Sequence, residues 1–330
     1  MQDNVCTDRP PHPSSGLIHL QARAAELGSL LGPTWAALCG ILASNAFRWE
    51  QGDYVKLPLL LLLVDGGWGT VWSALAGTDW SKPLNHWHTW DRTVAGVSLP
   101  YTLPGTLGDR MSQWIGRARM WWHSLFCPSC GPAVRALLVG LPLTALLGAL
   151  LGPELLLLSV AALALMEMAL LWEGGGGGLP SGWDGLIGIA LPWLAGHATF
   201  GTLAMPSAAF AILFSLAWGG AWTPRSAGAR ATLILSQALA AVGLVVLQHP
   251  LAAALLLLAL VPQMVLLPWA SPSAPACSSL AAARFVRYTR PWLMGVMVAA
   301  AYVLYLTPWP AVRLILTGLV VLSGLAWGGS

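Results

Sequence analysis

Long apolar runs cover most of this chain, and its few charged residues fall between them. Hydrophobic residues make up 56% of the 330 residues and charged residues only 9%, whereas roughly 25% of a soluble domain is charged. A run of about 20 apolar residues is needed for a helix to cross a bilayer. The pattern therefore predicts an all-α, polytopic membrane helix bundle.

Ten apolar runs can be marked, each of which predicts a transmembrane helix. They are 31–47, 57–76, 134–151, 154–172, 183–203, 207–222, 229–247, 250–269, 292–306 and 309–327. The first, sixth and ninth runs are short for a full crossing, so we expect nine or ten transmembrane helices. The predicted organisation is a cytoplasmic tail (1–30) and a single bundle (31–330) with a Trp-rich cytoplasmic loop at 77–133.

Lys and Arg concentrate on one side of this predicted bundle. With ten crossings, 13 of the 16 basic residues lie on the side of the N-terminus, and only Arg48, Lys56 and Arg313 lie on the other. The positive-inside rule then places both termini in the cytoplasm. The abundance of Ala, Gly and Arg is typical of a GC-rich bacterial genome, which favours a bacterial inner membrane. The net charge of +3 is too small to indicate a nucleic-acid partner.

The long loop contains two further patterns. In 111–126, Trp, Met and Leu alternate with Arg and His, which predicts an amphipathic helix in the cytoplasmic interface. His123, Cys127 and Cys130 have a metal-like spacing, similar to one knuckle of a zinc ribbon. A closed zinc site needs four ligands, and the sequence has no second Cys-x-x-Cys. We therefore favour two unreactive cysteines at a turn set by Pro128 and Gly131 over a metal site or a reactive dithiol.

Asp65, Glu167 and His197 are ionisable residues that lie well inside the apolar runs, away from the run ends, where each costs at least ~2.5–3.5 kcal/mol. Asp65 is followed by two glycines. We interpret it either as a site for a proton, an ion or a lipid headgroup, or as a protonated carboxyl that is hydrogen-bonded within the bundle. Glu167 predicts a cation or proton site or, as we favour, a hydrogen bond to a neighbouring helix. His197 is either a haem or chlorin ligand or, as we favour, a packed polar residue. Gln237 and Gln263 predict hydrogen bonds between helices.

Three arginines precede the ninth run. Arg284, Arg287 and Arg290 stand together with Tyr288. Such a cluster predicts contact with anionic lipid headgroups or a partner. An ordinary positive-inside role is the alternative, and we favour it.

The second half of the chain carries a family resemblance. The stretch 183–203 reads Trp-Asp-Gly-Leu-Ile-Gly-Ile-Ala-Leu-Pro-Trp-Leu-Ala-Gly-His-Ala-Thr-Phe-Gly-Thr-Leu, a further helix follows at 207–222, and Gly32-Pro33-Thr34-Trp35 precedes the first helix. This order resembles the UbiA-type intramembrane prenyltransferases, with their Gly-rich helix, polar turn and following helix. The resemblance implies a UbiA-like fold with a groove for isoprenoid chains.

This chain departs from the family at the catalytic motifs, which implies that prenyl transfer has been lost. The family uses two Asp-rich cytoplasmic motifs, whose carboxylates hold magnesium against the diphosphate leaving group. The first corresponding loop offers Asp79 and Asp91, which are twelve residues apart and do not form a matching motif, and the second, 222–230, has no carboxylate.

The sequence therefore predicts a non-catalytic accessory subunit of a photosynthetic or respiratory electron-transfer complex. Its partners would be membrane lipids and other membrane subunits, and its groove would hold a quinone, a carotenoid, a (bacterio)chlorophyll or a lipid. Two alternatives stay open. One is a divergent prenyl or lipid transferase that uses Asp79, Asp91 and magnesium. The other is a transporter centred on Asp65 and Glu167.

Overall fold

A computed structural model describes residues 32–78, 80, 103–172, 181–222, 226–267 and 278–306. Every regular element in these ranges is helical, which confirms the all-α prediction. The helices are α1 (Pro33–Ser44), α2 (Gln51–Ala76), α3 (Leu107–Leu151), α4 (Pro153–Trp172), α5 (181–200), α6 (Met205–Trp222), α7 (Ala227–Val246), α8 (Pro250–Leu266) and α9 (Ser278–Leu306). The predicted tail, 1–30, and the tenth run, 309–327, lie outside the described residues.

Several helices have the length and composition of membrane spans. Four described helices are long and apolar enough to cross a membrane: α2, α3, α7 and the part of α9 from Phe285 to Leu306. Many of their large apolar side chains face outward, as does Leu251 of α8, which is 82% exposed. Such a surface suits lipid rather than water. These features indicate a membrane protein, while the predicted count of nine or ten crossings and the cytoplasmic termini stay predictions.

Helix α3 differs from its sequence-based prediction. The segment 111–126 is helical as expected, but it continues without a break into the apolar run 134–151, forming one helix of 45 residues. The turn expected around Pro128 and Gly131 is therefore wrong. A π-helical turn, Trp122–Phe126, ends two residues before Pro128. Such local adjustments let a proline lie inside a membrane helix.

The chain divides into two compact units. The first is described at 70–78, 80 and 103–141, and it has a small core in which Ala74, Ala133 and Ala136 pack with Trp80. The indole N–H of Trp80 donates to the carbonyl oxygen of Leu75 at 3.1 Å. This core therefore joins the end of α2 to the middle of α3.

The second unit holds the larger core, to which α1, α5, α6, α7, α8 and α9 contribute. Its centre is aromatic: the ring of Phe214 stacks on Trp193 at 5.8 Å and on Phe210 at 6.1 Å, measured between centroids. These stacked rings bury large apolar surfaces between α5 and α6.

Helices α1 and α5 cross with their backbones in contact. A Cβ atom at Gly40 would overlap the carbonyl oxygen of Trp193, and one at Gly196 would overlap that of Ala37. The two glycines therefore permit the same crossing from opposite sides. Small residues that let backbones approach are a main source of helix association in a bilayer.

Glycines also stand at the next two crossings in this unit. A Cβ at Gly185 of α5 would overlap the carbonyl oxygen of Ser215 in α6. A Cβ at Gly220 of α6 would lie 2.5 Å from the carbonyl oxygen of Ala229 in α7. A series of glycine contacts thus links α1, α5, α6 and α7.

We expect Gly196→Ala to lower the free energy of unfolding by roughly 1–3 kcal/mol, because the added methyl group overpacks the crossing. Gly188 on the same helix is the matched control, since a Cβ there meets nothing within 4 Å. Thermal unfolding in detergent, followed by circular dichroism, compares the two variants. Equal melting temperatures for Gly196→Ala and Gly188→Ala would show that the close contact at the α1–α5 crossing does not stabilise the protein.

Candidate functional site

His197 ends a buried chain of hydrogen bonds in the second unit. Its Nε2 lies 3.0 Å from the carbonyl oxygen of Thr202, and its Nδ1 lies 3.2 Å from the hydroxyl of Ser207. The indole N–H of Trp193 donates to that hydroxyl at 2.9 Å. Because a carbonyl oxygen can only accept, Nε2 carries the proton in its contact with Thr202. Both nitrogens of the imidazole are engaged.

This chain ties α5 to the start of α6. Trp193 and His197 lie one turn apart on α5, and Ser207 lies in the first turn of α6, so the connecting residues bring them together. Binding of a haem or chlorin metal at Nε2 would break the bond to Thr202. The geometry therefore favours the packed polar residue over the metal ligand for His197.

We expect Ser207→Ala to destabilise the protein by about 1–3 kcal/mol, because it leaves the Trp193 N–H and the His197 Nδ1 buried without their shared partner. Ser215→Ala on the same helix is the control, since its hydroxyl donates only to the carbonyl oxygen of Ile212 at 2.8 Å. Detergent-phase thermal unfolding measures both. A loss no larger in Ser207→Ala than in Ser215→Ala would show that the chain adds no stability.

Gln237 of α7 and Gln263 of α8 form a closed pair. Each Nε2 donates to the Oε1 of the other, at 2.9 and 3.0 Å, and both side chains are fully buried. The second N–H of each amide donates within its own helix, to Leu233 at 3.3 Å and to Ala259 at 3.1 Å. All four amide N–H groups are thus used, which confirms the predicted hydrogen bonds between helices.

We expect Gln237→Leu to cost about 1–3 kcal/mol, because it leaves the Gln263 amide buried without its partner. The double variant Gln237→Leu/Gln263→Leu removes both polar groups and should recover part of that loss. A double-mutant cycle of unfolding free energies measures the coupling. Strict additivity of the two single changes would argue against a coupled pair.

Asp65 is half-buried in a π-helical turn of α2, Leu62–Trp68. A Cβ at Gly67 would lie 2.8 Å from the hydroxyl oxygen of Thr144 in α3. That hydroxyl and the indole N–H of Trp68 are both buried, with no hydrogen-bond partner in the described part of the chain. π-Helical turns and buried polar atoms without partners both occur at functional sites. Two buried polar atoms without partners therefore lie in or against the turn that carries Asp65, whose role as a site for a proton or a small polar ligand stays a prediction.

Sequence reasoning missed Trp68 and Thr144. One Thr in an apolar run is a weak signal, and one of the two Trp residues in the run 57–76 is weaker still. Only the packing of α3 against Gly67 distinguishes them from other residues of their type.

Glu167 is exposed on α4, beside the exposed Met168. Its expected hydrogen bond to a neighbouring helix is not formed within the ranges that the structure describes. In those same ranges, no group of three or more His, Cys, Asp or Glu side chains is placed to hold a metal ion. Asp65, Glu167 and His197 therefore do not converge on a metal site.

His123, Cys127 and Cys130 all lie on α3. His123 is exposed, Cys127 is half-buried and Cys130 is buried, and neither cysteine is part of a disulfide within the described residues. Within the described residues, these three side chains do not form a group that could hold a metal ion. Asp79 and Asp91, the carboxylates of the transferase alternative, lie outside the described residues.

The arginines of the predicted cluster lie in different environments. The guanidinium carbon of Arg290 lies 5.7 Å from the centroid of the Trp218 ring in α6, a cation–π contact. Arg287 is exposed, as is Tyr288 with 53% of its surface. The side chain of Arg284 lies outside the described residues. Arg290 thus helps to join α9 to α6, and Arg287 is left at the surface.

An apolar groove, which the sequence did not predict, runs between α8 and α9. Its volume is about 420 Å³. It is lined by Leu255, Leu256 and Ala259 of α8 and by Pro291, Gly295 and Ala299 of α9, among others. The small residues create the space: a Cβ at Gly295 meets nothing within 4 Å. None of the lining residues is ionisable.

Comparisons of the chain with protein-family models, curated proteins and solved structures find no match.

Proposed function

We propose that this chain is a non-catalytic membrane subunit whose α8–α9 groove holds the apolar tail of a membrane amphiphile. The groove is the observation that carries the proposal. Its volume of about 420 Å³ is in the ordinary range of roughly 300–1,000 Å³ for ligand sites. Its lining offers apolar contact and no acid, base or nucleophile, which supports binding rather than catalysis.

The kind of tail follows from the chemistry of the lining. Acyl chains and the isoprenoid tails of quinones, carotenoids and (bacterio)chlorophylls are all flexible or extended hydrocarbons that such a surface accepts. A UbiA-like bundle, as the 183–222 resemblance implies, would supply a groove of this type. The fold assignment is therefore part of the same proposal.

The subunit role is supported by the outer surface of α4. Glu167 is exposed on a helix whose only other charged residue is Glu154 in its first turn. A carboxylate facing hydrocarbon is costly, and a polar or cationic group on a neighbouring protein would offset that cost. We propose a photosynthetic or respiratory electron-transfer complex as the assembly, because such complexes contain isoprenoid ligands.

The test compares the wild type with Gly295→Leu, which places a side chain inside the groove. Gly228→Leu is the control, since a Cβ there also meets nothing within 4 Å but lies on α7, away from the groove. Each protein is purified gently from its native membrane, and bound lipids and proteins are identified by mass spectrometry. We expect about one amphiphile per chain in the wild type and the control, and almost none in Gly295→Leu.

Two results would contradict the proposal. An equal amphiphile load in Gly295→Leu and the wild type would exclude the groove as the binding site. Purification of the wild type as a monodisperse chain without any other subunit would exclude the subunit role.

A further inference from the structure

One end of the apolar groove is cationic. Arg287 and Tyr288 lie on α9 one helical turn before Pro291 and Trp292, which line the groove. Residues three or four positions apart share a face of a helix. The exposed guanidinium and phenol therefore stand on the face that continues into the groove through Gly295.

The charge at this end is not balanced by the helices that form it. Neither α8 nor α9 contains an Asp or a Glu. Within the described ranges, the Arg287 side chain makes no hydrogen bond or ion pair, whereas Arg290 lies over the Trp218 ring. An anionic group brought to Arg287 would thus meet an exposed guanidinium, with a second arginine one turn away.

We propose that the groove binds one anionic phospholipid, with an acyl chain along Gly295 and Ala299 and the phosphate at Arg287. This inference rests on the proposed function and names its ligand. The guanidinium offers paired N–H donors that match phosphate oxygens, and the Tyr288 hydroxyl can donate a further hydrogen bond. Trp292 suits the boundary between headgroup and hydrocarbon.

A phosphodiester fits this end better than a diphosphate. An isoprenoid diphosphate carries more charge, which proteins commonly balance with magnesium held by carboxylates. The groove lining and the two helices that form it have no carboxylate. A phospholipid headgroup carries one negative phosphate, which one guanidinium can balance. The positive-inside prediction places this end at the cytoplasmic leaflet, whose anionic lipids attract such arginines.

The test measures lipid affinity by native mass spectrometry of the detergent-purified full chain. The probes are phosphatidylglycerol and phosphatidylcholine with identical acyl chains. We expect the wild type to bind phosphatidylglycerol about tenfold more tightly, because its headgroup has a net negative charge, whereas the choline cation balances the phosphate of phosphatidylcholine. Arg287→Gln should bind the two lipids with nearly equal affinity. Arg48→Gln, which changes an exposed arginine outside the groove, should keep the wild-type preference.

A second pair of variants separates this inference from the proposed function. Gly295→Leu should lose both lipids, and Gly295→Ala, with only a methyl group in open space, should bind as the wild type does. If Gly295→Leu binds both lipids normally, the groove and hence the proposed function fail. If Gly295→Leu loses both lipids but Arg287→Gln keeps its preference for phosphatidylglycerol, only the headgroup inference is overturned.

Two competitors test the source of the phosphate. Millimolar inorganic phosphate should leave phosphatidylglycerol bound, because the acyl chain supplies much of the affinity. Displacement by phosphate alone would overturn the joint recognition of head and tail. Tighter binding of geranylgeranyl diphosphate than of phosphatidylglycerol would overturn the choice of a phospholipid.

Discussion

The backbone contact between α1 and α5 is the interaction on which the second unit depends. Helices that leave lipid to meet each other gain little from the hydrophobic effect, since lipid tails are as apolar as leucine. Close van der Waals contact must replace it, and Gly40 and Gly196 provide that contact by removing the side chains that would hold the helices apart. His197 directly follows Gly196, so the same crossing fixes the imidazole near Thr202 and Ser207. The first helix and the buried polar chain are therefore parts of one arrangement.

Buried polar groups in the described residues differ in whether they have partners. In the Gln237–Gln263 pair, every amide N–H has an acceptor. A network closed in this way leaves nothing for a ligand, and its effect is to hold α7 against α8. The turn of α2 that carries Asp65 is different, because the indole N–H of Trp68 in it and the hydroxyl of Thr144 packed against it have no partner among the described residues. Such atoms are costly in an apolar interior, but the hydroxyls of Thr70 and Thr289 share that cost, so a function of this turn stays a prediction.

The sequence predicted helices well and contacts poorly, for a physical reason. The length of an apolar run reflects the solvent, so the runs 207–222 and 250–269 closely match α6 and α8. Gln237 and Gln263 were predictable because a polar side chain in such a run needs a partner. The unbroken α3 was missed because Pro128 signals a turn in water, whereas a π-helical turn accommodates it here. The groove was missed because it depends on which helix faces meet, and hydropathy does not encode that.

Glycine has opposite consequences at the helix crossing and in the groove. At Gly196 the missing side chain is replaced by the backbone of a neighbouring helix, and at Gly295 no protein atom replaces it. A groove that opens toward hydrocarbon is filled by whatever chain the membrane supplies, so apolar contact alone selects little among lipids. Selection must then come from the polar end of the groove, where Arg287 stands without an acidic neighbour on α8 or α9. Under our proposal, the small residues of α9 make the groove, and the arginine decides which amphiphile occupies it.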